Sequence, residues 1–453
     1  MFVCTNPYTT EILAEFQPLS SQQIDQKLKS SAKGYQFWKN QTLDYRLGIL
    51  ENLAHQIEAN VEFLSISMVE EMGKTITEAR AEVLKCATGI RFFITKSPAW
   101  LAEKVIQSDA RFSAVYYQPL GGILLVMPWN FPLWQVLRAC IPALCVGNVV
   151  LLKHAPNVFR FSTLIEDLFA RSGFPEGVFE NLMVDVSEIE KITSSHSVAA
   201  VSLTGSEKAG RSMASVAGKY LKKCVLELGG SDPFIVLHDA DLAFAADMAA
   251  KARLINNGQS CIAAKRFLIH ESVEKEFTEI FIENLTHYKP DDPLKEKTLL
   301  GPQARPDLTT QLQFQLDATL KKGAELVYQS QEPFSKGYFF LPTVLRNVKP
   351  GMACFDEEVF GPIAAISTYK TIEEAINLAN QTRYGLGASI YTTDEERARQ
   401  IALKLDCGTV AVNAMVRSKP SLPFGGTKAS GYGRELSELG LYEFSNLKTV
   451  TIG

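Results

Sequence analysis

The spacing of apolar and polar positions divides the chain into stretches of different periodicity. Residues 1 to about 20 are typical of a short strand pair with a turn at Asn6-Pro7. Residues 21–97 repeat apolar positions every three and four residues, which predicts helices. Residues 110–119 and 447–453 are strand-like. The first of these two ribbons has no neighbouring strand in the sequence, so it is free to pair elsewhere.

Two longer regions alternate short apolar runs with helical periodicity. In residues 121–228 the predicted strands are GILLVM, NVVLLK, VAAVSL and KKCVLEL, with helices from Pro132, near Arg160 and at Ser206. In residues 229–430 they are FIVL, RFLIH, AAIST, ASIYT and GTVAVN, with helices from Asp241, Val273, Ile372 and Glu395. Such alternation predicts right-handed crossovers and two parallel sheets, an α/β architecture that suits a dinucleotide.

Composition narrows the class of protein. A chain of 453 residues is too long for one core, which predicts two large domains. With 46% apolar and 21% charged residues and a net charge of −4, neither nucleic acid nor an anionic membrane is an expected partner. No signal pattern or membrane-length apolar run occurs. The eight cysteines form no C-x-x-C pair, which favours a reducing cytoplasm and argues against a zinc site.

Three short motifs carry candidate chemistry. Cys261 lies in LINNGQSCIAAKR, where following cations favour a thiolate, although a buried structural cysteine is an equal alternative. Glu227 ends an apolar run before Gly-Gly and is a candidate base, or else an ion-pair partner of Lys222 or Lys223. Asn130 follows another apolar run and is a candidate oxyanion donor or a helix N-cap.

In this order and spacing, PWNFP, ELGG and GQSC resemble the aldehyde dehydrogenase superfamily, and so do EMGK at residues 71–74 and FGGTKASGYGRE at residues 424–435. The resemblance implies two Rossmann-like parallel-sheet domains plus a small β oligomerisation element. We expect a cofactor-binding domain at residues 1–105 and 121–228, a catalytic domain at 229–430, and the oligomerisation element at 106–120 and 431–453. A homodimer or homotetramer is expected, with the active site between the two large domains.

The same resemblance implies the roles of individual residues. Cys261 attacks an aldehyde, Asn130 and the backbone amide of Cys261 hold the oxyanion, and Glu227 activates the hydrolytic water. The cofactor NAD or NADP is assigned to Trp129, Lys153, Gly205, Ser206, Glu358 and Phe360. From the residues alone, TGSEKAG is equally a simple helix cap at Ser206. Pro156 stands where NAD-preferring relatives often carry a glutamate, so the choice between the two cofactors stays open.

Arg138 is the one charged residue in the apolar helix after Asn130, about two turns further on. A lone arginine needs an anion, either a structural acidic neighbour or a substrate carboxylate. The family's substrate tunnel includes this position, so we expect Arg138, Trp134, Ser260 and Ser418 to bind the substrate. The pattern looks like the bacterial-type succinate-semialdehyde dehydrogenases, which predicts oxidation of succinate semialdehyde, with glutarate semialdehyde or an uncharged aldehyde as alternatives.

Two further classes of protein compete with this interpretation. A cysteine-dependent ester or thioester hydrolase would need an orienting histidine, and neither His154 nor His270 shows a pairing pattern. An idle binding protein of the same fold has no physical need for Cys261, Glu227 and Asn130 together. The role of the Ser231-Asp232 pair, where many relatives carry a lysine, is left unassigned.

Overall fold

The computed structural model describes residues 1–453. The first 105 residues form a strand pair and four helices, as the periodicity predicts, and a two-residue strand that it does not. They are β1 Phe2–Thr5, β2 Ile12–Phe16, α1 Ser21–Trp38, α2 Leu43–Ala59, α3 Val61–Met72, α4 Ile76–Trp100 and β3 Lys104–Val105. Local signals set the helix ends: Ser20 and Gln23 form a capping box before α1, and Gly73 ends α3 with φ at 80°.

The next stretch alternates strands and helices as expected. Its elements are β4 Phe112–Pro119, β5 Gly122–Val126, α5 Trp134–Val146, β6 Val149–Lys153, α6 Phe159–Arg171, β7 Phe179–Asn181, α7 Ile189–Ser194, β8 Val198–Thr204, α8 Glu207–Lys219 and β9 Lys223–Glu227. Helix α5 is buried along its whole length, because it lies between the first sheet and the N-terminal helices.

The rest of the chain builds a second α/β series. Its elements are β10 Asp232–Val236, α9 Leu242–Leu254, β11 Ala264–His270, α10 Glu274–Leu285, α11 Pro306–Lys321, β12 Glu325–Gln329, β13 Thr343–Arg346, α12 Ala353–Asp356, β14 Ile363–Tyr369, α13 Ile372–Asn380, β15 Tyr384–Gly385, β16 Gly387–Tyr391, α14 Glu395–Ala402, β17 Thr409–Val412, β18 Thr427–Lys428, β19 Gly431–Tyr432, α15 Ser437–Glu443 and β20 Ser445–Ile452.

Two large sheets organise these elements. The first has the order β19-β9-β8-β5-β6-β7 and is parallel except for β19. The second has the order β12-β13-β14-β11-β10-β16-β17 and is parallel except for β12. The sequence pattern does not predict the antiparallel edge strands, since β12 and β19 lie in stretches where the apolar pattern is weak. Strand β19 adds Gly431–Tyr432 to the first sheet rather than to the terminal ribbon.

A third sheet joins the two predicted ribbons. Strand β20 pairs antiparallel with β4 from Ser445 opposite Pro119 to Ile452 opposite Phe112, and β3 covers the other side of β4. This pairing confirms that the lone ribbon at 110–119 finds its partner at the end of the chain. Strand β20 is an open edge, exposed along seven of its eight residues. No helix of the chain has the length and apolarity needed to cross a membrane.

Candidate active site

The loop that carries Cys261 is held in an unusual backbone conformation by asparagine side chains. Asn256 and Asn257 both have left-handed φ values, 55° and 58°, which asparagine tolerates better than most residues. The Asn256 Nδ2 donates to the carbonyls of Asn130 at 2.8 Å and Gln259 at 3.0 Å. The Asn257 Nδ2 donates to the carbonyl of Gly73 at 2.9 Å. The thiol loop and the Asn130 loop are therefore tied directly to each other.

Lys265 fixes the turn around the thiol. Its buried Nζ donates to the carbonyls of Ser260, Cys261 and Ala263 at 3.0, 2.8 and 3.0 Å. The neighbouring cation, Arg266, points elsewhere. It donates to the carbonyl of Ser231 at 2.9 Å, and its remaining nitrogens bind carbonyls at the end of α13. The expectation that both cations act on the thiol therefore holds for Lys265 only.

The Cys261 thiol faces the cleft between the two large sheets, and none of the other seven cysteines does. Burial raises the pKa of this thiol to about 12, and the charges of Arg138 and Lys265 oppose that rise. The resting group is therefore a thiol, and it needs a base or a further positive charge at the moment of reaction. The alternative of a structural cysteine walled off in apolar packing is wrong, because Cys261 is partly exposed on the cleft.

Asn130 lines the same cleft as Cys261. Its Nδ2 donates to the carbonyl of Gln259 at 3.0 Å, which leaves one amide hydrogen for a ligand. The helix-cap alternative is wrong, because the N-cap position of α5 is Leu133. The backbone N–H groups of Leu133 and Trp134 instead donate to Oε1 of Glu82, each at 3.0 Å. A carboxylate from α4 therefore replaces the side-chain cap and frees the Asn130 amide.

Glu227 ends β9, and its carboxyl is buried away from the lining of the cleft, beside Arg138 and Glu435. Burial and the charge of Glu435 raise the pKa of Glu227 well above its usual range, and Arg138 opposes the rise. Its Oε1 has no hydrogen-bond partner, and a Cβ at Gly425 would lie 2.7 Å from it. In this conformation Glu227 is a buried carboxyl with one oxygen unbonded, which suits a group that must turn towards the cleft to act.

The alternative of an ion pair between Glu227 and a neighbouring lysine is wrong. The Nζ of Lys222 donates to the carbonyl of Val198 at 2.6 Å, and Lys223 pairs with Glu443 at 3.1 Å. Both lysines lie at the start of β9, whereas Glu227 is at its end. The lysines are therefore occupied at the opposite end of the strand.

The cleft itself has a volume of about 760 Å³, which is in the range of small-molecule and cofactor sites. Residues from both sheets line it, including Trp129, Asn130, Gly205, Ser206, Cys261, Glu358 and Phe360. The rings of Trp129 and Phe360, both in the lining, meet edge to face with their centroids 5.9 Å apart. Seven of the predicted catalytic and cofactor-binding residues thus lie around one space.

Several features of the cleft fit a dinucleotide. The Ser206 hydroxyl accepts from the Ala209 N–H at 3.3 Å and caps α8, so the positive end of that helix faces the cleft. Glu358 accepts the Gly230 N–H at 3.0 Å, and its carboxylate lies directly against Gly229. Lys153 is buried at the end of β6, outside the lining, where the charge of Asp185 opposes the lowering of its pKa by burial. Ser206 can therefore cap α8 while the N-terminus of that helix remains available to a phosphate in the cleft.

Arg138 is not the lone cation that the sequence suggests. It forms a buried ion pair with Glu435, donates to the Thr204 hydroxyl at 3.5 Å, and lies over the ring of Phe424. The structural pairing with an acidic neighbour, one of the two alternatives that the sequence left open, is present. Glu435 could not be identified as the partner, because it lies almost 300 positions further along the chain.

The other predicted substrate residues form two separate groups. The indole N–H of Trp134 donates to the Ser418 hydroxyl at 3.0 Å, and the same hydroxyl accepts from Lys85, which no sequence motif singles out. Ser260 is fully buried, and its hydroxyl has no partner. Ser231-Asp232 serves the backbone of the second sheet, since Asp232 accepts the Gly387 N–H at 3.1 Å.

No histidine lines the cleft. His154 binds the carbonyl of Pro132 at 2.9 Å, and His270 binds Ser272 and the carbonyl of Lys370. A Cys–His pair of the hydrolase type is therefore absent.

A single thiol and an amide donor on one cleft, between two sheets that are parallel except at one edge strand each, suit a cofactor-dependent oxidoreductase of the cysteine type. The sequence profile of the aldehyde dehydrogenase family matches residues 1–450, and the chain belongs to that family.

Individual relatives are similar over their whole length. The chain is 44% identical over 448 residues to the succinate semialdehyde dehydrogenase [NAD(P)+] of Escherichia coli K12, covering 99% of this chain and 97% of the relative. It is 41% identical over 450 residues to the succinate-semialdehyde dehydrogenase [NADP(+)] of Mycobacterium leprae, covering 99% and 98%. Among solved structures, succinic semialdehyde dehydrogenase from Streptococcus pyogenes in complex with NADP+ has a TM-score of 0.97 at 34% identity, covering 100% of both chains.

Proposed function

We propose that this enzyme oxidises succinate semialdehyde to succinate with NAD+ or NADP+. The observation that carries the proposal is the placement of the Cys261 thiol and the Asn130 amide on one dinucleotide-sized cleft. Relatives that cover nearly the whole chain at 41–44% identity bear the names of succinate-semialdehyde dehydrogenases using NAD(P)+ or NADP+, which supports this substrate and these cofactors.

The first step is attack of the Cys261 sulfur on the aldehyde carbon. A C–S bond forms, the carbonyl double bond becomes an oxyanion, and the thiol proton leaves to a base or to solvent. The spare amide hydrogen of Asn130 stabilises the oxyanion together with the backbone N–H of Cys261. Loss of one such donor typically lowers the rate by about 10²–10³-fold.

Trp129, Gly205, Ser206, Glu358 and Phe360 would hold the nicotinamide cofactor in the cleft, with Lys153 near the adenosine ribose. The bound cofactor would supply the oxidising power as a hydride acceptor. Glu227 then takes a proton from water, and the hydroxide attacks the thioester carbon. The C–S bond breaks, the acid leaves, and the Cys261 thiol is restored. Burial raises the pKa of the Glu227 carboxyl, which favours its uptake of the proton from water.

Initial rates test this proposal. We expect reduction of NAD+ or NADP+, followed by the absorbance of the reduced nicotinamide, with succinate semialdehyde as substrate. Turnover should be faster than with butanal, which has the same number of carbons and no carboxylate. Cys261→Ala should abolish turnover while leaving cofactor binding intact. Activity that survives in Cys261→Ala would contradict the proposed nucleophile.

We further propose a homodimer or homotetramer assembled through the third sheet. Strand β20 leaves one edge unpaired and exposes Leu447, Val450 and Ile452, so a second chain could extend the sheet there. Sedimentation of the wild type and of Val450→Asp tests the assembly: a monomeric wild type would contradict it.

A reducing, cytoplasmic location is proposed as well, because all eight cysteines are free.

A further inference from the structure

A lysine on α4 is built into a polar cluster with two of the predicted substrate residues. The Nζ of Lys85 donates to the Ser418 hydroxyl at 2.9 Å and lies 4.1 Å from the centroid of the Trp134 ring. The Trp134 indole N–H donates to the same hydroxyl at 3.0 Å. We call Lys85, Trp134 and Ser418 the Lys85 cluster.

The hydrogen bonds within the Lys85 cluster leave the Ser418 hydroxyl able to act only as a donor. The Ser418 hydroxyl has two acceptor lone pairs, and the donors of Lys85 and Trp134 occupy both of them. Its own O–H is therefore free to donate only. A ligand that meets this hydroxyl must be an acceptor.

The charge of Lys85 has no counter-ion. No carboxylate lies within ion-pair distance of its Nζ. The nearest acidic residue on α4, Glu82, pairs with Lys74 and accepts backbone N–H groups at the start of α5. Burial and the positive charges of Arg138 and Arg417 lower the pKa of Lys85 to about 8, so it remains largely charged at neutral pH. A half-buried ammonium without a counter-ion favours the binding of an anion.

The cluster lies next to the reacting centre through Arg138. Trp134 and Arg138 lie one turn apart on α5, the helix that follows Asn130, and the charge of Arg138 acts on both Lys85 and Cys261. Glu435 already neutralises Arg138, whereas neither the half-buried Lys85 nor the exposed Arg417 has an ion-pair partner. A substrate that reaches from the thiol past Arg138 meets a positive charge and a donor hydroxyl.

We propose that the Lys85 cluster is the subsite for the carboxylate of an oxo-acid substrate, with Lys85 as the residue that selects for the charge. The proposal rests on the proposed function, because it assigns the far end of the substrate whose aldehyde reacts at Cys261. In the complex the carboxylate accepts from the Lys85 ammonium and from the Ser418 hydroxyl.

The test compares kcat/KM for succinate semialdehyde and for butanal in three proteins. Lys85→Met removes the charge but keeps the length of the side chain, and Lys96→Met is the matched control, an exposed lysine on the same helix. We expect the preference for succinate semialdehyde over butanal to fall about 10- to 100-fold in Lys85→Met, as for the loss of a charged hydrogen bond, and to stay at the wild-type value in Lys96→Met.

An unchanged preference in Lys85→Met, or an equal loss for both aldehydes, overturns the subsite. If Lys85→Met does not fold, Ser418→Ala decides, since loss of the donor hydroxyl must also lower the preference, and an unaltered preference overturns the proposal. A wild-type enzyme without activity on succinate semialdehyde contradicts the proposed function instead, so the two failures are distinguishable.

Discussion

The buried ion pair between Arg138 and Glu435 yields the sharpest prediction about stability. The two side chains are 3% and 4% exposed, and Glu227 shares the site with them. Arg138→Met keeps the bulk of the side chain but leaves two buried carboxyls without a cation. Breaking a buried pair from one side costs about 3–5 kcal/mol, because the remaining charge stays desolvated.

The pH dependence of this loss has a defined sign. The pKa of Glu227 is raised in the folded protein, and Arg138 lowers it, so Arg138→Met raises it further. A carboxyl with a raised folded-state pKa contributes stability that is greatest below the unfolded-state pKa and is lost as the pH rises towards the folded-state value. The deficit of Arg138→Met should therefore grow as the pH is raised.

Urea unfolding followed by tryptophan fluorescence, at fixed protein concentration, measures the effect, since Trp134 lies in the same helix as Arg138. The control is Arg171→Met, which breaks a surface pair that is 45% and 54% exposed and should cost less than about 1 kcal/mol. The double variant Arg138→Met/Glu435→Gln removes both charges and should recover much of the loss.

A loss in Arg138→Met no larger than in Arg171→Met would refute the structural role of the pair. The same variant also tests whether Arg138 binds substrate, as its position in the helix suggests. If it lowers kcat/KM for succinate semialdehyde much more than for butanal, Arg138 contacts the substrate carboxylate in spite of its partner. A similar loss for both aldehydes is what the ion pair predicts.

Three further predictions concern the thiol loop, the cofactor cleft and the pH profile. Lys265→Met removes three hydrogen bonds to the loop and a positive charge near the thiol, so alkylation of Cys261 by iodoacetamide should slow and kcat should fall at least about 10-fold. Alkylation of the variant at the wild-type rate would rule this out. Ser206→Ala removes the cap of α8, which should cost about 1 kcal/mol of stability and raise the KM for the cofactor several-fold. An unaltered KM for the cofactor would show that Ser206 does not bind the pyrophosphate. The KM for succinate semialdehyde, but not for butanal, should rise above pH 8, where Lys85 loses its proton under the influence of Arg138, Arg417, Glu82 and Cys86. A KM for succinate semialdehyde that stays constant up to pH about 9.5, below the usual lysine pKa, would contradict the charge assignment.

Local chemistry is what the sequence could predict. The alternation of strands and helices, the cap at Ser206 and the start of a helix at Asp241 depend on neighbouring residues, and the structure contains them. The expectation that Cys261 and Asn130 share one site came from the resemblance to the aldehyde dehydrogenase superfamily, and both residues line one cleft.

Long-range pairing could not be predicted in the same way. Glu435 meets Arg138 only because β19 returns the end of the chain to the first sheet, and nothing near Arg138 indicates this. Lys85 resembles any lysine on an amphipathic helix until Trp134 and Ser418 are brought beside it. Asn130 resembles a cap in the sequence because the competing carboxylate, Glu82, comes from a different helix.

The central claim is that the substrate becomes covalently attached to Cys261 and is released by Glu227. Glu227→Gln should give a burst of reduced cofactor close to one equivalent per site, followed by a stalled steady state. Mass spectrometry of the stalled enzyme should then find a succinyl thioester on the peptide that contains Cys261. Full steady-state turnover in Glu227→Gln, or acylation at any residue other than Cys261, would contradict the account.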